Sequence, residues 1–153
     1  MAFELPVRDP CPFCENVASR HHCARIYETE ITLAFVNPRQ LERGTTMVIP
    51  KRHCETLLDL TDDEAVDVMR CVAIVARAIT NTFAPRGLNV FQNNGLAAGQ
   101  SVPHVHFHIV PRHGDVPAER VFTSADTPVV SLDERESVAA LIRTALPGPR
   151  DDS

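Results

Sequence analysis

Apolar and polar positions along this chain change period several times, and each change marks an element. Val66, Met69, Val72, Ala73, Ala76, Ile79 and Phe83 recur at the spacing of an amphipathic helix. Thr61-Asp62-Asp63-Glu64 stands just before that stripe and reads as a capping box, with Thr61 at the N-cap and Glu64 at N3. Two acids in the first turn suit the positive end of the helix dipole. Pro85 and Gly87 end the stripe, so a helix is predicted over 62–84, its apolar face given to core or interface.

Elsewhere the period shortens to that of strands. Arg25–Tyr27 and Ile31–Val36 are predicted as strands joined by a turn around Glu28–Glu30, and Thr45–Pro50 as a third. Asn37-Pro38-Arg39 and Arg43-Gly44 supply turn chemistry between them. Leu88–Gln92 is a further strand, followed by a flexible loop over Asn93–Gly99. A short helix is expected within Arg8–Arg25 and a longer one over Glu134–Leu146, with an irregular stretch before it and a tail from Pro147. No internal repeat and no low-complexity linker interrupt the pattern.

The sharpest alternation is His104-Val105-His106-Phe107-His108-Ile109-Val110. On a strand running to about Pro111, the three histidines share one face and Val105, Phe107 and Ile109 the other. Successive imidazoles then stand about 7 Å apart, held by an apolar back. Pro103 is acceptable at the start of such a strand. Imidazoles offer proton exchange, a nucleophilic nitrogen and metal ligation near neutral pH. Three on one face point to chemistry rather than packing.

Composition narrows the class. The 153 residues suit one domain with a sizeable core, and 44% hydrophobic with 23% charged residues is ordinary globular usage. No apolar run is long enough to span a bilayer, so no membrane partner is expected. Met1-Ala2-Phe3-Glu4-Leu5-Pro6 has neither a basic start nor an apolar secretory core, which makes cytoplasm the expected location. A net charge of −5 argues against a general nucleic-acid binder. It leaves room for a small anionic substrate, because local donors can outweigh the global field.

Five cysteines fit a reducing compartment. Cys71 falls inside the predicted helix and reads as a small buried side chain. Cys11-Pro12-Phe13-Cys14 is a Cys-x-x-Cys pair. A redox reading needs a βαβ setting, which nothing nearby provides. A zinc reading needs two further nitrogen or sulfur ligands. Gly99-Gln100-Ser101, just ahead of the histidines, can present backbone N–H groups and a hydroxyl to a phosphate.

These residues together resemble the histidine-triad family of nucleotide hydrolases and transferases, whose signature is His-φ-His-φ-His-φ-φ with φ apolar. Residues 104–110 match it fully, and the likeness extends to Gln100-Ser101-Val102, Asn93, Leu33-Ala34-Phe35 and Val48-Ile49-Pro50-Lys51-Arg52-His53, about two-thirds of the chain. The resemblance implies an α+β fold: a mostly antiparallel sheet of about five strands with one long and one or two shorter helices. One domain is expected over 1–147, with a disordered tail over 148–153.

By the same resemblance, His106 attacks an α-phosphate to form a nucleotidyl-histidine, while His108 and Ser101 donate to the phosphate or leaving group. Asn93, Gln100, Asn37 and Phe35 would contact a purine nucleotide. Asn37 stands where the family often carries a ribose-binding carboxylate, and Leu96, Ala97 and Ala98 replace smaller or polar loop residues. A structural zinc, one per chain, would be held by Cys11, Cys14, His53 and His104, with Cys11/Cys14/Cys23/His53 as the alternative set and His21, His22 and Cys54 as neighbouring donors. A homodimer through the long helix is also implied. The rival readings are a nucleotide-binding regulatory module and a metal sensor built on the histidine row.

Overall fold

The computed structural model describes residues 2–121 and 126–148; the expected tail lies outside them except for Gly148. In chain order the elements are α1 (Pro12–Val17), β1 (Arg25–Glu28), β2 (Thr32–Val36), β3 (Thr46–Pro50), α2 (Asp62–Phe83), β4 (Gly87–Gln92), β5 (Phe107–Arg112) and α3 (Leu132–Thr144). The strands form one five-stranded sheet in the order β1-β2-β3-β5-β4, and every neighbouring pair is antiparallel. The α+β fold expected from the sequence is the fold observed.

Each helix begins where its cap dictates. Thr61 Oγ1 accepts from Glu64 N at 3.2 Å while Glu64 Oε2 accepts from Thr61 N at 2.9 Å, the reciprocal bonds of a capping box. Arg52 closes on the same carboxylate at 2.7 Å. Ser131 Oγ accepts from Glu134 N at 3.1 Å and starts α3 two residues before the predicted position.

Helix α2 packs over β1, β2, β3 and β5, and α3 lies against β1 and β2. The helix is rotated from the predicted stripe. Val68, Cys71, Val72, Val75, Ala78 and Ile79 are buried, whereas Val66 and Met69 are 70% and 49% exposed. Two adjacent apolar stripes run along α2, and only contact with the sheet decides which one faces it. Among the described residues no helix is long and apolar enough to cross a membrane.

The sheet is covered on its other face as well. Phe13 from α1 joins Cys23, Leu33, Phe35, Met47 and Ile49 in a second apolar cluster, which explains why β2 and β3 are buried at every position. The histidines belong to this second face. Their strand is shorter than predicted: β5 starts at Phe107, so only His108 lies within it. Val105 N bonds to Cys54 O at 2.7 Å and His104 N turns onto Val102 O at 2.8 Å, which takes both off the ladder. The alternation of faces nevertheless holds, with Val105, Phe107 and Ile109 in the α2-side core.

Candidate active site and metal-ligand cluster

Strand register assembles the floor of the site. Phe35 on β2 pairs with Met47 on β3, Met47 with His108 on β5, and His108 with Phe91 on β4. Cross-strand partners share a face, so one row of side chains crosses the sheet at the level of His108. Phe91 stacks on the His108 ring at 4.4 Å between centroids, 12° from parallel. Phe13 meets the edges of Phe35, His104 and His106 at 5.8, 5.8 and 5.1 Å. The apolar residue between the two cysteines thus wedges the histidines in place.

His106 is 2% exposed. Its Nδ1 lies 2.7 Å from the carbonyl oxygen of His104. A carbonyl only accepts, so Nδ1 carries the proton and Nε2 keeps the lone pair. Burial lowers the basicity of the ring, with the His104 hydrogen bond opposing it. The result is a neutral imidazole with a defined nucleophilic nitrogen. His108, its ring centroid 4.8 Å from that of His106, is pushed down to about 3 by burial and by the His106 ring.

The first histidine has a different environment. His104 Nε2 lies 2.8 Å from the Pro50 carbonyl oxygen, which fixes the opposite tautomer. Its Nδ1 lone pair then faces Cys11 Sγ at 3.5 Å and Cys14 Sγ at 3.6 Å, and His53 Nδ1 lies 3.3 Å from Cys14 Sγ. One ligand atom from each of Cys11, Cys14, His53 and His104 falls within 4.8 Å of the others. Two thiols and two imidazoles at this spacing suit a tetrahedral d¹⁰ ion. Burial, then the neighbouring Cys11, pushes the Cys14 thiol up to about 11; a cation on the same sulfur reverses that. Cys23 is not among the residues whose ligand atoms converge there; it lines a separate cleft with His21 and His22.

Two clefts meet at Ser101 and His108. One, of about 390 Å³, is bounded by Phe13, Asn37, Met47, Ser101 and His106. The other, of about 450 Å³, is bounded by Phe91, Asn93, Ala97, Ala98 and Ser101. Of the expected ligand contacts, Asn37, Asn93, Ser101, His106 and His108 line a cleft. Asn37 Oδ1 is occupied by Arg39 N at 2.9 Å, so its side chain offers a ligand the Nδ2 donor.

Gln100 and Phe35 do not line either cleft. Gln100 is 2% exposed and spends its amide on the backbone. Oε1 accepts from Gly95 N at 2.7 Å, and Nε2 donates to Glu55 O at 2.7 Å and Val102 O at 2.9 Å. Phe35 is 1% exposed and supports Phe13 from below. Phe13, Phe91, Arg8 and Arg39 also border the clefts, beyond the residues expected from the sequence. Only Phe13, an apolar residue between two candidate ligands, carried a local signal.

An antiparallel sheet that holds a tautomer-fixed His106 and a stacked His108 beside a thiol–imidazole cluster defines the class of site. The family described as HIT domain matches residues 19–115, and the chain belongs to it. The protein named Protein hit from Bacillus subtilis is 46% identical over 104 residues, 68% of this chain and 72% of its own length. Adenosine 5'-monophosphoramidase hnt1 of Schizosaccharomyces pombe is 39% identical over 102 residues, 67% of this chain and 74% of its own. A Zn-bound histidine triad family protein from Mycobacterium smegmatis superposes with a TM-score of 0.72 at 32% identity, covering 89% of this chain and 92% of that one.

Proposed function

We propose that the protein is a nucleotide hydrolase or nucleotidyl transferase that cleaves at the α-phosphate of a purine nucleoside phosphoramidate or dinucleoside polyphosphate. The observation that carries this reading is the bond from His106 Nδ1 to the His104 carbonyl. It leaves Nε2 as the attacking atom and meets the positive charge that develops on the ring as the P–N bond forms. Attack expels the leaving group and gives a nucleotidyl-histidine; water or a second acceptor then releases the nucleotide. His108 and Ser101 donate to the phosphate oxygens, Asn93 orients the phosphate, and Asn37 Nδ2 takes a ribose hydroxyl. Membership of the HIT family supports the reaction class, and the phosphoramidase relative supports the amidate as one substrate.

Cys11, Cys14, His53 and His104 would hold one zinc per chain, which ties the N-terminal segment and the end of β3 to the histidine strand. The uncovered stripe at Val66 and Met69, with Leu88 and Val90 exposed on the α2-side face of β4, supports a two-fold homodimer. The domain spans 1–147, and its setting is the cytoplasm.

The test is turnover by His106→Ala. The variant keeps its fold and metal content and loses activity on both substrate classes. Turnover within a few-fold of wild type would refute the assignment.

A further inference from the structure

Two cations, Arg8 and Arg39, line the cleft in front of His106, and no carboxylate does among the described lining residues. That reverses the balance of a chain with 20 acidic against 15 basic side chains. Arg39 is half-buried and donates to the Thr127 carbonyl. Arg8 is exposed, and its Nε reaches the Ser101 carbonyl at a long 3.4 Å. The remaining donors of its five-donor fork are available to a ligand.

Arg8 is not on a loose end. Glu4 O accepts from Leu96 N at 2.8 Å. Gly95, at φ +85°, lies so close to Phe3 that a side chain there would meet Phe3 Cβ at 3.1 Å. The N-terminal segment is therefore clipped to the loop 95–101 near both ends, at Gly95–Leu96 and at Ser101. That loop carries the Ser101 hydroxyl into both clefts.

In-line displacement sets where the leaving group goes. His106 forms the buried floor, so a group expelled opposite its Nε2 departs toward the open rim, and Arg8 stands on that rim beside Ser101. We propose that Arg8 is the leaving-group residue of this site and selects substrates whose leaving group departs as an anion, phosphate or sulfate, over those that release an amine. This rests on the nucleotidyl-histidine reading above.

The chemistry separates the two kinds of substrate. The Nε2 lone pair forms the P–N bond, the bond from the α-phosphorus to its bridging oxygen breaks, and that electron pair leaves on the oxygen. No proton need follow, and a permanently charged guanidinium balances the new charge. An amine departs only after it takes up a proton, which a guanidinium cannot give at neutral pH.

The experiment compares wild type, Arg8→Ala and Arg8→Lys on a dinucleoside polyphosphate, a nucleoside phosphosulfate and a nucleoside phosphoramidate of one base. Arg8→Ala lowers the kcat/KM ratio of polyphosphate to phosphoramidate by about tenfold or more, the scale of one charge-assisted hydrogen bond, and Arg8→Lys restores part of it. A parallel fall for the phosphosulfate assigns the subsite to anions generally, and a fall for the polyphosphate alone assigns it to phosphate. Equal losses on all three substrates, or none, overturn the proposal.

Calorimetric affinities for ADP and AMP give a readout without turnover: wild type prefers ADP, and Arg8→Ala loses that preference. If turnover depends on His106 while Arg8→Ala changes neither ratio nor preference, Arg8 is wrongly assigned and the catalytic reading stands. If the ADP preference follows Arg8 and no substrate turns over, the catalytic reading fails and the anion subsite stands.

Discussion

Gln100→Ala tests whether the residue ahead of Ser101 fastens the loop or touches substrate. Truncation removes three bonds of 2.7, 2.7 and 2.9 Å and strands the Gly95 N–H and the Glu55 carbonyl, while the Val102 carbonyl keeps its bond from His104 N. At roughly 1 kcal/mol net per bond, the loss is about 3 kcal/mol. For a chain of 153 residues that is a fall in Tm of roughly 6–12 °C. Gln100→Glu keeps the acceptor for Gly95 but turns a carboxylate oxygen toward two carbonyls, so it is expected to be at least as damaging at neutral pH. The assay is denaturant and thermal unfolding of metal-saturated protein, with kcat and KM measured on the same samples. Loop fastening predicts lost stability with a lowered kcat, because Ser101 is the next residue. A Tm within about 2 °C of wild type, combined with a raised KM, would instead place Gln100 on the ligand.

Other outcomes follow from the same structure. Arg52 holds the Glu64 carboxyl down to about 2. A carboxyl whose folded pKa is depressed stabilises above its unfolded value, near 4.3, and loses that contribution as pH falls toward 2. Glu64→Gln should therefore be less stable than wild type at pH 7, with the gap closing over that acid window in unfolding titrations. Cys14→Ser should lower bound zinc below one per chain and lower the Tm, as measured by metal analysis and calorimetry; full metal content would contradict the cluster. Met69→Glu combined with Val90→Glu, at positions 49% and 44% exposed, should give a monomer in light scattering without loss of fold. A wild type already monomeric at micromolar concentration would remove the dimer.

Much of the fold was legible because its signals are local. The Thr61–Glu64 cap set the start of α2 to the residue, and the β2 and β3 bounds differ by one from prediction because turn residues flank both strands. The rotation of α2 was not legible: Val66 and Met69 are as apolar as Val68 and Val72, and only docking chose between them. The metal cluster could be drawn from the Cys-x-x-Cys pair and a family resemblance. The resemblance already put His104 ahead of Cys23; what the chain did not carry is the Pro50 carbonyl, distant in sequence, that fixes the His104 tautomer with Nδ1 toward the thiols. Phe91 and Arg8 reach the site through strand register and a crossing segment, neither of which leaves a pattern in the chain. Gln100 shows the converse: the resemblance placed it on the ligand, whereas its buried amide is spent on backbone groups that lie outside any local pattern.

The most direct measurement is intact-mass analysis of the protein quenched during turnover of a nucleoside phosphoramidate and a dinucleoside polyphosphate, followed by peptide mapping. A single added nucleotidyl group, common to both substrates, is expected on residue His106, and none in His106→Ala. An adduct on His108 or Ser101, or sustained turnover by His106→Ala, would contradict that assignment.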